Sequence, residues 1–169
     1  MGLFDDLAES LTGSRERALA KEREWRALVR RTDALGHTGR EGVARGLRLY
    51  REMREEAFPV TSEEQRRMDA GLPVFQDGSP QHRASERERA DFTANLSLRL
   101  AKIEAGVTVD KRGLDDRAKD GIQGWEIGLK MGLFHWKCSS EYQGLNNDVG
   151  NRLHKEMGDY ILRIAYGNP

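Results

Sequence analysis

The chain has 169 residues, of which 37% are hydrophobic and 33% are charged. This lean apolar content favours amphipathic helices with solvated faces over a thick globular core. The 28 Lys and Arg residues balance the 28 Asp and Glu residues, which argues against a field over the whole molecule that steers it to nucleic acid. The single cysteine, Cys138, excludes a disulfide within the chain.

The N-terminal residues indicate neither export nor lipid attachment. The first residues carry no basic region and no long apolar run, so we predict no secretory signal peptide. Asp6 occupies the position at which an N-myristoylation motif requires Ser or Thr. No apolar run reaches the length of a membrane-spanning helix, so we expect no transmembrane segment and a reducing compartment such as the cytoplasm.

A short amphipathic helix is predicted at the start of the chain. Leu3, Phe4, Leu7 and Leu11 recur at helical spacing, and Gly13 is a typical end for such a helix. A helix of this length is marginal alone, so its apolar face is expected to dock on another surface.

Further helices are predicted between Gly13 and residue 71. Their approximate bounds are 14–35, 43–58 and 62–71, and each ends at a glycine or a proline. Ser14 is the expected cap of the first, and Ser62-Glu-Glu-Gln65 has the form of a capping box for the last.

Residues 71–85 contain Pro73, Gly78 and Pro80 and predict an ordered loop or linker. This loop separates the amphipathic and basic helices of residues 1–70 from a C-terminal helical domain, residues 86–169. In that domain we predict helices over about 86–105, 114–139 and 148–165, with a short extended segment at 107–110. Ser85-Glu-Arg-Glu88 has the form of a second capping box, and Gly106 is the expected end of the helix it begins. Asn146, Asn147 or Asp148 is the expected cap of the last helix. The predicted fold class is mainly α, with helical hairpins or a bundle and no substantial sheet.

A glycine-rich apolar helix is the most unusual feature of the C-terminal segment. Gly124, Gly128 and Gly132 have the four-residue spacing that lets another backbone approach closely, and this spacing does not match a phosphate-binding motif. Beside them on a helical wheel lies an apolar face with Trp125, Leu129, Leu133 and Trp136, and Ile127 and Met131 lie roughly opposite. Two apolar faces require two partners. These partners are either other helices of the same fold or another subunit, and the charged flank disfavours membrane insertion.

Basic residues outnumber acidic ones by about two to one between Ser14 and Arg54. A solvated helical face explains this excess, and a strip that meets phosphate or a partner is the alternative. In that alternative the nucleic-acid contacts are Arg23, Arg26, Arg30, Arg31, Arg45 and Arg48.

A metal site or a cysteine nucleophile is conceivable around His135, Cys138 and His154, with Asp148 or Glu141 as a further ligand. The spacing lacks the second close ligand pair that structural zinc sites show, and a lone cysteine among aromatic residues is typical of a core. We therefore predict no catalytic residue, no metal and no cofactor.

The opening Met1-Gly-Leu-Phe-Asp-Asp-Leu7, followed by charged helices and a glycine-punctuated apolar helix, resembles virion-associated proteins of tailed phages. These are internal, ejection or tail-assembly components. The resemblance implies a non-enzymatic protein that works in many copies in a symmetric assembly, in the cytoplasm or the virion.

The sequence thus predicts a structural or assembly protein that acts through protein–protein contacts as a homo- or hetero-oligomer. The residues predicted to form its interface are Leu3, Phe4, Leu7, Leu11, Gly124, Trp125, Gly128, Leu129, Gly132, Leu133 and Trp136. The alternatives are a nucleic-acid-associated protein that uses residues 14–54 and a small metal- or cysteine-dependent enzyme.

Overall fold

The computed structural model describes residues 2–71, 80–109, 116–140 and 147–167, and these residues form helices and no strand. The helices are α1 (Leu3–Asp33), α2 (His37–Ala57), α3 (Ser62–Asp69), α4 (Pro80–Arg83), α5 (Glu86–Val109), α6 (Asp116–Ser140) and α7 (Asp148–Tyr166). The mainly α prediction is therefore confirmed. Most of the predicted 71–85 loop and the predicted helix start at Leu114 lie outside the described residues.

Two predicted breaks at glycines are wrong. Residues 3–33 form one continuous helix through Gly13, and α5 continues past Gly106 to Val109, where an extended segment was expected. A glycine ends a helix when it adopts a positive φ, which among the described residues occurs at Gly71 and Gly167. A glycine inside a helix costs only about 1 kcal/mol relative to alanine, which the flanking helix tolerates.

The predicted capping boxes are present, one of them shifted by a residue. The backbone N–H of Ser85 donates to Glu88 at 2.7 Å, and that of Glu88 donates to the Ser85 hydroxyl at 3.2 Å, as expected. At α3 the box is formed by Thr61 and Glu64 rather than by Ser62 and Gln65. Asn147 caps α7 by accepting from the Gly150 N–H at 2.8 Å.

The helices pack around α2 and α6, which share the most extensive contact and run parallel to each other. Helices α1 and α7 are also mutually parallel, because Asn147 meets Ser14 and Glu156 meets Arg26 further along both helices. Helix α5 runs antiparallel to α6, because Glu104 meets Lys130 and Thr93 meets Trp136.

One hydrophobic core joins the segments on both sides of the predicted 71–85 loop. It contains Trp25 and Leu47 from the first segment and Phe92, Trp136 and Met157 from the second. Stacked and edge-on aromatic contacts anchor α5, with the Phe92 and Trp136 ring centroids 4.5 Å apart. No helix in the described part of the chain is long and apolar enough to cross a membrane.

Candidate functional site

The contact between α2 and α6 is made backbone to backbone by glycines from both helices. These glycines are Gly39, Gly42 and Gly46 on α2, and Gly124, Gly128 and Gly132 on α6. A Cβ atom at Gly42 would lie 2.9 Å from the backbone nitrogen of Trp125, and one at Gly124 would lie 2.8 Å from the Gly39 carbonyl carbon. No side chain fits at such distances, so the glycines are a condition of the contact.

Asp120 fixes the register of this contact at its N-terminal end. Helix α2 begins after Gly36, which has no side chain to cap it. The Asp120 carboxylate of α6 instead accepts a hydrogen bond from the Gly39 N–H at 2.8 Å. A carboxylate at a helix N-terminus satisfies a free N–H group and favours the helix dipole.

The structure therefore places Gly124, Gly128 and Gly132 against another helix of the same chain. The partner glycines Gly39, Gly42 and Gly46 were missed in the sequence, although their spacing of three and four residues is the signal that could have found them. The contact at the glycine face of α6 therefore lies within the chain.

The other predicted interface residues differ in their exposure. Leu129 and Trp136 are buried in the core, and Leu133 is half-buried. Trp125 is 37% exposed and Leu3 is 84% exposed. The side chains of Phe4, Leu7 and Leu11 lie outside the described residues, although the backbone that carries them is helical.

Beyond Gly132 the glycine contact gives way to a set of polar side chains inside the fold. We name this set the histidine cluster: Tyr50 and Arg54 of α2, His135 of α6 and His154 of α7. The Tyr50 ring lies over Gly132, where a Cβ atom would approach the ring to 2.5 Å. The Tyr50 hydroxyl lies 2.9 Å from His135 Nδ1 and accepts from Arg54 at 3.4 Å. The His135 and His154 rings are stacked with centroids 5.1 Å apart.

The environment of the cluster favours neutral imidazoles. Burial lowers the pKa of His135 well below its ordinary value, and the charge of Arg54 lowers it further. Burial and Arg54 lower the pKa of His154 in the same direction. The Tyr50 hydroxyl, which accepts from Arg54, is also hydrogen-bonded to His135 Nδ1, so the Arg54 guanidinium lies close to the ring pair.

The predicted alternative of a metal or cysteine site is met only in part. The fold brings His135 and His154 together, as that alternative required. Among the described residues, however, no group of three or more His, Cys, Asp or Glu residues is placed to hold a metal ion. Glu141 lies outside the described residues, and Cys138 is buried with 4% exposure, as a core cysteine is.

The predicted basic strip separates into two sets. Arg26 binds Glu156 at 3.3 Å and Arg48 donates to the Ala165 carbonyl at 2.9 Å, so both hold α7 in place. The side chains of the second set are exposed and form no ion pair with a described residue: Arg23, Arg30, Arg31 and Arg45.

The N-terminal part of α1 precedes the point at which α1 meets the start of α7. The first contact of α1 with another helix that the structure describes joins Ser14 to Asn147, at the start of α7, over 2.9 Å. Leu3–Gly13 precedes this contact and spans about 16 Å at 1.5 Å per helical residue. We name this segment the N-terminal arm.

The N-terminal arm and the histidine cluster are the two features with functional potential. The arm carries an apolar sequence pattern, and the cluster carries ionisable groups inside the fold. Comparison with protein-family models, with curated proteins and with solved structures gives no match.

Proposed function

We propose that this protein is a non-enzymatic structural or assembly protein that acts through protein–protein contacts and works in several copies. The observation that carries the proposal is the N-terminal arm. It is a helix from Leu3 onward, it extends beyond the start of α7, and its first apolar side chain is 84% exposed. An amphipathic helix presented in this way suits insertion into a hydrophobic groove.

The arm is continuous with the packed part of α1. Helix α1 continues without a break into the segment whose Ala18, Trp25 and Leu28 are buried in or against the core. A helix that is already formed loses less conformational entropy when it binds than a disordered segment does. In the proposed role Leu3, Phe4, Leu7 and Leu11 enter a groove on a neighbouring copy of the chain.

The resemblance to virion-associated proteins of tailed phages supports the same role. An assembly with many copies needs a contact that each subunit offers to the next, and a projecting helix provides one. The proposal includes a location of the protein in the cytoplasm or the virion.

Light scattering coupled to size exclusion tests the proposal on the full chain and on a matched pair at Gly13. Gly13→Pro breaks the helix between arm and bundle, because proline removes a helical hydrogen bond and clashes with the preceding turn. Gly13→Ala keeps the helix, since the nearest atom to an added Cβ is the end of the Arg17 side chain at 3.5 Å.

We expect the wild-type chain and Gly13→Ala to form assemblies larger than one chain. Gly13→Pro and a variant without residues 1–12 should remain single folded chains, as judged by circular dichroism. A wild-type protein that stays monomeric, or an arm-deleted protein that assembles normally, would contradict the proposal.

A second candidate function is binding to nucleic acid through α1. Arg23, Arg30 and Arg31 are exposed on α1 and form no ion pair with a described residue, which leaves their charge available to phosphate. An electrophoretic shift with duplex DNA or RNA that weakens steeply with salt would support it. Arg26→Gln is the control and should leave the shift unchanged, because the Arg26 guanidinium is already bound to Glu156. No shift at low salt excludes this candidate.

A further inference from the structure

Helix α7 is held on the rest of the fold by contacts between side chains, and the histidine cluster is the most buried polar part of them. His154 is the residue of α7 that enters the cluster, with its ring stacked on the His135 ring of α6. His135 is 5% exposed, whereas His154 is half-buried, so solvent protons reach His154 first.

The described groups that face this ring pair are mostly cationic or neutral. From α2 they are Tyr50, Arg51 and Arg54, and from α6 the group is His135. Arg51 also pairs with the Glu55 carboxylate at 3.5 Å. An added proton on His154 therefore brings a further positive charge beside Arg54.

The hydrogen bonds in the cluster also oppose protonation. The Tyr50 hydroxyl lies 2.9 Å from His135 Nδ1 and accepts from Arg54 at 3.4 Å, so the Arg54 guanidinium is held close to the ring pair. A proton added to either stacked ring would place a positive charge in a buried site, against the other histidine and beside that guanidinium. The docked arrangement therefore favours two neutral rings.

We propose that α7 is a pH-controlled element that is docked while His135 and His154 are neutral and is released from α2 and α6 when these rings are protonated. Release would expose the apolar stripe of α7, which contains Val149, Leu153, Met157 and Ile161. Between its glycines the α2–α6 contact is made mostly by backbone atoms and contains no histidine, so it stays closed.

The direction of the effect follows from the lowered pKa values of both histidines. The docked state binds fewer protons than the undocked state, so docking is fully stable above the unfolded histidine pKa of about 6.5 and weakens as the pH falls below it. One histidine that stays neutral while docked lowers the docked-to-undocked ratio about tenfold between about pH 7.5 and pH 5.5. At the lower pH exposed glutamates are still mostly ionised, so protonation of the glutamates in the ion pairs of α7 is not the cause of its release.

Hydrogen exchange measured by mass spectrometry on the full chain tests this proposal. After correction for the intrinsic pH dependence of exchange, protection in α7 should fall about tenfold or more between about pH 7.5 and pH 5.5. Protection in α2 around Val43 and Leu47 should stay unchanged. An equal loss of protection in α2 and α7 would mean that α7 is not released separately, and would overturn the proposal.

The variants are His135→Asn with His154→Gln, and His37→Gln as the control. Asparagine keeps an acceptor near the position of Nδ1, and neither amide can be protonated in this range. The double variant should lose the pH dependence in α7. His37 is 79% exposed and pairs with Glu41 on the surface, so its replacement should leave the dependence intact. The same pH dependence in the double variant as in the wild type would overturn the proposal.

A measurement on the wild-type chain covers the case in which the double variant does not fold. Nuclear magnetic resonance of the imidazole Cε1–H groups gives the titration of each histidine directly. His154 and His135 should titrate below the ordinary histidine value of about 6.5. Titration of His154 at or above that value would contradict the proposal.

Discussion

Helices α2 and α7 both contact α6, and they do so by opposite means. The α2 contact brings backbones together through glycines, with Asp120 binding the Gly39 N–H at one end. The α7 contact is made by side chains, which include the stacked pair of His154 and His135. Helix α7 is also bound to α2, where Arg48 donates to the Ala165 carbonyl. A backbone contact is insensitive to pH and intolerant of any added atom. A side-chain contact tolerates added atoms and depends on the charge of its members.

The largest effect is expected from Gly124→Ala. The new Cβ would meet the backbone of Gly39 and Val43, which cannot rotate away as a side chain can. We expect the free energy of unfolding to fall by about 3 kcal/mol, the upper part of the range for overpacked cores. Urea denaturation measures it.

Gly158→Ala in α7 is the matched control for that substitution. No atom lies within 4 Å of a Cβ at Gly158, and the residue is inside a helix. Alanine there should raise the free energy of unfolding by about 0.5–1 kcal/mol, because it restricts the unfolded chain. Equal destabilisation by both substitutions would remove the contrast between the two contacts.

Tyr50→Phe is expected to have an intermediate effect, at the point where the two contacts meet. The ring that covers Gly132 remains, but His135 Nδ1 loses its hydroxyl partner. We expect a loss of about 1–2 kcal/mol in the free energy of unfolding at neutral pH. Urea denaturation measures it.

Tyr166→Phe is the comparison for Tyr50→Phe. Tyr166 is 50% exposed, and its ring keeps the contact with the Arg51 guanidinium when the hydroxyl is removed. A change of stability as large as that of Tyr50→Phe would show that the cluster hydroxyl has no special role.

The smallest destabilisation is expected from Arg48→Met. The methionine side chain keeps most of the apolar stem and removes the hydrogen bond to the Ala165 carbonyl. Loss of a single charged hydrogen bond at the end of α7 should lower the free energy of unfolding by about 1 kcal/mol. Arg45→Met on the same helix should change it by less than about 0.5 kcal/mol, because Arg45 is exposed. Similar values for both would refute a role of Arg48 in holding α7.

Local patterns were sufficient to predict the helices and several of their ends. Ser85 and Glu88 form their capping box, and Asn147 caps α7, since both depend on groups three residues apart. Gly13 and Gly106 were read as helix ends and are not, because a glycine is also tolerated inside a helix. Whether it adopts a positive φ depends on what the next residues pack against.

The candidate sites likewise divide into features that a local pattern predicts and features that depend on tertiary packing. Four-residue glycine spacing predicted a close backbone approach at Gly124, Gly128 and Gly132. Gly132 meets the Tyr50 side chain, whereas the approach is present at Gly124 and Gly128. Its partner was not predicted, because Gly39, Gly42 and Gly46 are separated from it by about 80 residues of chain, and a spacing carries no information on which helix faces which.

The sequence by itself determined the helical class, the lean core and the presence of one segment able to accept a neighbouring backbone, since these follow from periodicity and side-chain size. Only the tertiary structure decided that the neighbour is α2 of the same chain. It also decided that Tyr50, His135 and His154 meet where the glycines end. The physical reason is that burial and charge at a histidine are set by groups from three helices, whose register is fixed only when the helices pack.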